Sequence, residues 1–85
     1  MKVDSYMKEI KIIGEYIKLD ALLKYIGVVE TGGEAKNNIQ NGKVLVNQRV
    51  CVMRGKKIRK GDVVTYQEET YLIRDAQENP RKDRA

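Results

Sequence analysis

The chain has 85 residues, enough for one domain and too few for two, because a domain of this size buries only about 60% of its unfolded surface. With 41% hydrophobic but 34% charged residues and a mean hydropathy of -0.58, it reads as one folded domain with a thin core under a wet surface. A net charge of +5, no histidine, a single cysteine and no apolar run near the roughly 18 residues of a membrane span exclude a disulfide scaffold, a His/Cys metal site and a spanning helix, and lead to the expectation of a soluble cytoplasmic protein.

Residues 1–8 are polar and irregular, and residues 76–85 (AQENPRKDRA) hold the only proline and almost nothing apolar. Both are expected to be flexible tails around a domain at 9–75. Within it, EIKIIGEYIKL alternates Ile10 and Ile12 with lysines, breaks at Gly14 and resumes at Tyr16, Ile17 and Leu19. This predicts one bent strand or two short ones. Asp20 stands where a helix N-cap belongs, and Leu19, Leu22, Leu23 and Ile26 fall at the i, i+3, i+4, i+7 spacing of a buried stripe. Gly27 ends this first helix.

After about four residues, Thr31-Gly32-Gly33-Glu34 has the form of a capping box, with the Thr31 hydroxyl accepting from the Glu34 amide and the Glu34 carboxylate reaching back to the Thr31 amide. A second helix is expected through Ala35, Lys36 and Ile39, stopping at Asn41-Gly42. Val44 to Val46 predict a strand, Asn47-Gln48 a tight turn, and Arg49 to Met53 the returning strand. Gly61-Asp62 turns into a strand at Val63 to Tyr66, and Glu68-Glu69 separates it from Tyr71 to Ile73 in a final hairpin. The order strand, two helices, several strands indicates an α+β fold, two short helices packed on a small, mostly antiparallel sheet. The five tyrosines, the only aromatic residues, are expected near the core boundary because their hydroxyls need water or a partner, and Cys51 is expected to be a small buried or half-buried apolar residue.

The charge is unevenly placed. Between Ala35 and Gly61 stand eight cations (Lys36, Lys43, Arg49, Arg54, Lys56, Lys57, Arg59, Lys60) and no Asp or Glu, whereas the remainder holds nine cations and twelve anions. Such a field attracts polyanions by counterion release, although a solvated basic face is the plainer alternative for a charge run alone. The second helix adds geometry. Its first amides and positive dipole end are open to an anion, Gly32 and Gly33 remove side chains that would hold a phosphate away, and Lys36 and Asn37 lie about one turn in. A capping box without any ligand explains the same residues structurally.

Leu19-Asp20-Ala21-Leu22-Leu23, Gly27, Thr31, Ala35-Lys36, Ile39, Gly42, Val44-Leu45-Val46-Asn47 and Gly61-Asp62-Val63-Val64 together resemble the alpha-L RNA-binding domain, also called the S-four domain. The likeness covers a core motif at 17–66. Thr31 to Lys36 and Arg54 to Lys57 resemble the small single-domain bacterial members, the YaaA-like subgroup. The resemblance implies binding of structured RNA through the two-helix face, and in that subgroup ribosomal RNA or a ribosomal subunit, in ribosome assembly or translation. The candidate RNA contacts are Lys18, Lys24, Thr31, Gly32, Gly33, Lys36, Asn37, Gln40, Asn47, Arg54, Lys56 and Lys57. Two departures stand out: Gly32 occupies a place where many family members carry arginine, and Asn47-Gln48 replaces the usual Asn-Gly turn.

A protein-interaction module docking an acidic partner through the basic stretch is the alternative. It would show a defined protein partner and only weak, length-dependent affinity for polyanions. An enzyme is not expected: histidine is absent, no Walker-type Gly-Lys-Ser/Thr occurs, and Asp20 and Asp62 read as a cap and a turn residue. No cofactor, small-molecule substrate or membrane partner is expected.

Overall fold

A computed structural model describes residues 7–76. The expected tails therefore lie largely outside the described residues. The alternation at the start forms β1 (Met7–Ile12), two residues ahead of the expected boundary, and Gly14, at φ +93°, turns the chain into β2 (Ile17–Lys18). Two short strands thus replace any single bent one. The helices are α1 (Leu19–Ile26) and α2 (Gly32–Gln40), followed by β3 (Val44–Val46), β4 (Arg49–Val50), β5 (Lys57–Ile58), β6 (Val63–Tyr66) and β7 (Glu69–Asp75).

Five strands make the main sheet in the order β1-β7-β6-β3-β4. All its pairs are antiparallel except β1 with β7, which run parallel from Met7↔Thr70 to Ile12↔Asp75. A separate ribbon pairs β2 with β5, Ile17 opposite Ile58 and Lys18 opposite Lys57. Leu19, Leu22 and Leu23 of α1 and Ala35 and Ile39 of α2 are fully buried against Val44, Val64, Ile58 and Ile73, so one core joins helices, sheet and ribbon. Each fully buried Leu or Ile contributes about 1.5–3 kcal/mol by leaving water. Tyr66 and Tyr71 are buried, against the boundary position expected of the tyrosines, while Tyr16 and Tyr25 are exposed. Cys51 is half-buried, as anticipated.

Asp20 is not the N-cap of α1. Lys18 holds that position with an extended backbone, and Asp20 lies in the first turn, where its Oδ1 accepts from the Ala21 amide at 2.7 Å. The cap arrives instead from afar: the Leu19 amide donates to the Lys56 carbonyl at 2.9 Å and the Asp20 amide to the Arg54 carbonyl at 3.0 Å. Two otherwise orphaned donors are thereby satisfied by backbone. At the far end Gly27, at φ +94°, donates to the Leu23 and Lys24 carbonyls and stops the helix as expected.

The cap of α2 is present in altered form. Thr31 Oγ1 accepts from the Glu34 amide at 3.0 Å, but the Glu34 carboxylate accepts from the Glu30 amide at 3.0 Å, one residue before the predicted donor. The C-terminal stop is a Schellman motif, with Lys43 N–H donating to the Asn38 carbonyl and Gly42 N–H to that of Ile39.

The strand expected over Arg49 to Met53 ends at Val50. After Cys51, whose amide still donates to the Val44 carbonyl of β3 at 3.0 Å, the chain leaves the sheet, the carbonyls of Arg54 and Lys56 turn to α1, and Lys57-Ile58 joins β2. In the final hairpin Glu69 belongs to β7, and the turn is Gln67-Glu68, with positive φ at both residues, like Asn47-Gln48. That pattern is the I′ turn, which suits the twist of paired strands.

Candidate nucleic-acid interface

The exposed side of α2 follows from its sequence. Ala35 and Ile39, four apart, face the core, which leaves Gly33, Lys36, Asn37 and Gln40 at i, i+3, i+4 and i+7 on the solvent side. Gly32 and Gly33 open the helix at its positive end. A Cβ built on Gly32 meets no atom within 4 Å, and one on Gly33 meets only Thr31 Oγ1 at 3.9 Å. Packing within the chain therefore does not require glycine at either position, although each costs about 1 kcal/mol of helix propensity relative to alanine. The space before the helix is open to solvent. Glu34 keeps its carboxylate turned back on the Glu30 amide, where it also complements the helix dipole.

A second group gathers at the N-terminal end of α1. Lys18 and Lys57 are directly opposed across the β2–β5 ribbon, both exposed. Arg54 and Lys56 are held there by their own carbonyls, which cap α1, and a turn closed by Lys56 N–H to the Met53 carbonyl shapes the loop between them. Lys24 lies exposed in the last turn of α1, before the five-residue link to α2. Cations thus stand at both ends of an eight-residue helix, a length of about 12 Å at 1.5 Å per residue.

None of Lys18, Lys24, Lys36, Arg54, Lys56 and Lys57 forms an ion pair with a described residue; the surface pairs are Lys8–Glu69, Lys60–Asp75 and Arg74–Glu9. Lys18 and Lys57, held opposite each other with no described carboxylate beside them, are an arrangement that a polyanion relieves.

Asn47 is placed differently from the rest. Its side chain donates from Nδ2 to Asp62 Oδ1 at 3.2 Å and accepts on Oδ1 from the Val63 amide at 3.0 Å, so both ends of the amide are engaged within the protein. Asp62 is more than a turn residue, since its second oxygen accepts from the Arg59 amide at 2.9 Å. Two features escaped sequence reasoning. The Tyr16 ring lies beside two cations, Lys57 Nζ at 4.9 Å and Arg59 at 5.8 Å from its centroid. Val50, Val52 and Met53 are exposed in a groove with Arg49 and Lys56, although their alternation reads as a strand. Among the described residues no group of three or more His, Cys, Asp or Glu could hold a metal, and no helix is long and apolar enough to cross a membrane.

The structure is similar to that of a heat shock protein 15 from Vibrio cholerae, described as trimeric, with a TM-score of 0.63 and 22% identity over 81% of this chain and 77% of the other. That likeness concerns the fold: two helices against a mostly antiparallel sheet. No curated protein matches the chain. The family model of the S4 domain matches residues 10–74, from the middle of β1 to the end of β7, and includes every residue of both cationic groups. The chain belongs to the S4 domain family.

Proposed function

We propose that this protein is a non-enzymatic RNA-binding module that grips structured RNA, ribosomal RNA in ribosome assembly or translation, with the N-terminal end of α2 and the basic segment at the start of α1. The observation that carries this is the set of cations on or beside the two helices, Lys18, Lys24, Lys36, Arg54, Lys56 and Lys57, that pair with no described carboxylate on an S4 domain, a family whose members typically bind RNA. Phosphates seat on the open amides before Gly32 and Gly33, while Lys36, Asn37 and Gln40 reach along the strand to sugars and base edges. Lys18 and Lys57 hold a second stretch of backbone. Recognition follows RNA shape more than base sequence, because most of these groups address the backbone.

Crosslinking of the protein to RNA in cells, with sequencing of the attached fragments, tests this. Fragments concentrated at one ribosomal RNA junction are expected. Scattered or absent crosslinks would shift weight to a protein partner, a reading that the exposed Val50, Val52 and Met53 beside Arg49 and Lys56 favours for an acidic partner with apolar anchors.

A further inference from the structure

Four tyrosines lie among the described residues, and they divide cleanly. Tyr66 and Tyr71 are 3% exposed, whereas Tyr16 and Tyr25 are 39% and 60% exposed and line the same shallow groove with Ile12, Ile13 and Ile17. The Tyr25 hydroxyl donates to the Lys11 carbonyl at 2.7 Å, which fixes one wall of the groove. Tyr16 is fixed otherwise. It precedes β2, so it shares the outward side of the ribbon with Lys18, two residues on, and Lys57 stands opposite Lys18. Lys57 Nζ and the Arg59 guanidinium accordingly come to 4.9 and 5.8 Å from the Tyr16 ring.

We propose that the groove between Tyr16 and Tyr25 takes one unpaired nucleotide of the bound RNA, its base on the Tyr16 ring and its phosphates on Lys57, Arg59 and Lys18. This rests on the RNA-binding reading and adds to it a base-binding subsite beside Lys18 and Lys57. Charge complementarity selects the occupant. An apolar, aromatic groove alone would suit many ligands, but a ring with two cations beside it and Lys18 on the same strand face matches a ligand with a π-face joined to anions, which is what a single-stranded nucleotide offers. Arg59 also lines the neighbouring hollow with Glu15, Lys60 and Asp75, where Lys60 pairs with Asp75, so Lys18 and Lys57 are the two of the three cations that do not border those carboxylates. In the free protein the Lys57 ammonium rests near the ring, and binding transfers it to a phosphate as the base takes its place.

The test uses the full chain and three RNA probes: a blunt hairpin, the same hairpin with a single-stranded extension, and the same extension built of abasic nucleotides. Wild type is expected to bind the base-bearing extension about tenfold more tightly than the abasic one. Tyr16→Ala should lose that ratio and keep its affinity for the blunt hairpin, and Tyr16→Phe should retain it. An unchanged ratio in Tyr16→Ala, or no preference for bases in wild type, overturns the subsite while hairpin binding leaves the RNA reading standing. Failure to bind any of the three probes overturns both.

Discussion

Asn47 and Asp62 hold each other across two turns of the fold, Nδ2 of the first donating to Oδ1 of the second at 3.2 Å. The contact ties the β3–β4 turn to the residue that opens β6, and the Asn47 backbone strengthens it through its amide to the Val63 carbonyl at 2.7 Å. Asn47→Ala removes two side-chain hydrogen bonds and leaves a β-carbon at φ +54° without the local bonding that helps asparagine there. The expected cost is about 1–3 kcal/mol, a fall in Tm of several degrees or more, read by thermal unfolding. Asn47→Ala and Asp62→Ala should also be non-additive, since each removes the same bond.

Lys36→Ala combined with Lys57→Ala is expected to weaken RNA binding with little change in Tm, because both side chains are exposed and neither is in an ion pair with a described residue. If each contacts one phosphate, the log–log dependence of affinity on salt should become shallower by about 1.4–1.8 for the pair. Titrations at several salt concentrations read this. Equal slopes for wild type and double variant would remove these two residues from the interface.

Thr31→Ala removes the hydroxyl that accepts from the Glu34 amide and should cost about 1 kcal/mol whatever the ligand. Unfolding in urea measures it. A variant as stable as wild type but defective in RNA binding would place the hydroxyl against RNA instead.

Glu68→Gly is expected to stabilise the protein. Glu68 stands at φ +70° in the turn between β6 and β7, where a β-carbon is strained and glycine is not. The gain should reach about 0.5–1 kcal/mol after the greater freedom of glycine in the unfolded chain is offset. A lower Tm would mean that the Glu68 side chain contributes more than its backbone strain removes.

Burial raises the pKa of Tyr71 above its usual 10.0; nearby Lys8 opposes the shift and Glu69 and Tyr66 add to it. The folded protein therefore keeps this proton at a pH where the unfolded chain has lost it. The stabilisation is complete below pH 10 and declines as the pH rises through 10 toward the folded value. Urea midpoints from pH 8 to 11 should fall more steeply for wild type than for Tyr71→Phe, which has no proton to lose. Parallel curves would show that Tyr71 titrates alike in both states.

The local signals were the legible part of this fold. The apolar stripe of α1, the Thr31 hydroxyl cap, Gly27 and Gly42 as helix stops and the Asn47-Gln48 turn each depend on neighbours within a few residues, and the structure holds all of them. What was hidden depends on residues distant in sequence. Strands of two residues carry no periodicity, so nothing near Ile17 announces Ile58 as its partner. Asp20 failed as a cap for the same reason, since the helix begins earlier, with the Leu19 and Asp20 amides held by carbonyls more than thirty residues away. In the candidate interface, residue type pointed to the open helix end and to the exposed cations. It did not reveal that Asn47 is engaged with Asp62, or that Lys18, Lys57 and Tyr16 share one surface.

The parallel pairing of β1 with β7 also sets an order on biosynthesis. Met7 meets Thr70 only after about sixty further residues have been made, which at 5–20 residues per second leaves β1 waiting roughly 3–12 s. Until then β1 has no strand beside it, since β7 is the strand it pairs with in the sheet, and its backbone donors and acceptors stand open to another strand. The backbone bonds of both helices and of the α1-capping loop can be made in that interval, because β7 supplies none of them, although Ile73 is still missing from the core on which the helices pack. The two helices and the capping loop can therefore meet on a nascent chain before the core beneath them is closed, and a chain truncated ahead of Glu69 would lack Ile73 as well as the strand that joins its beginning to its body.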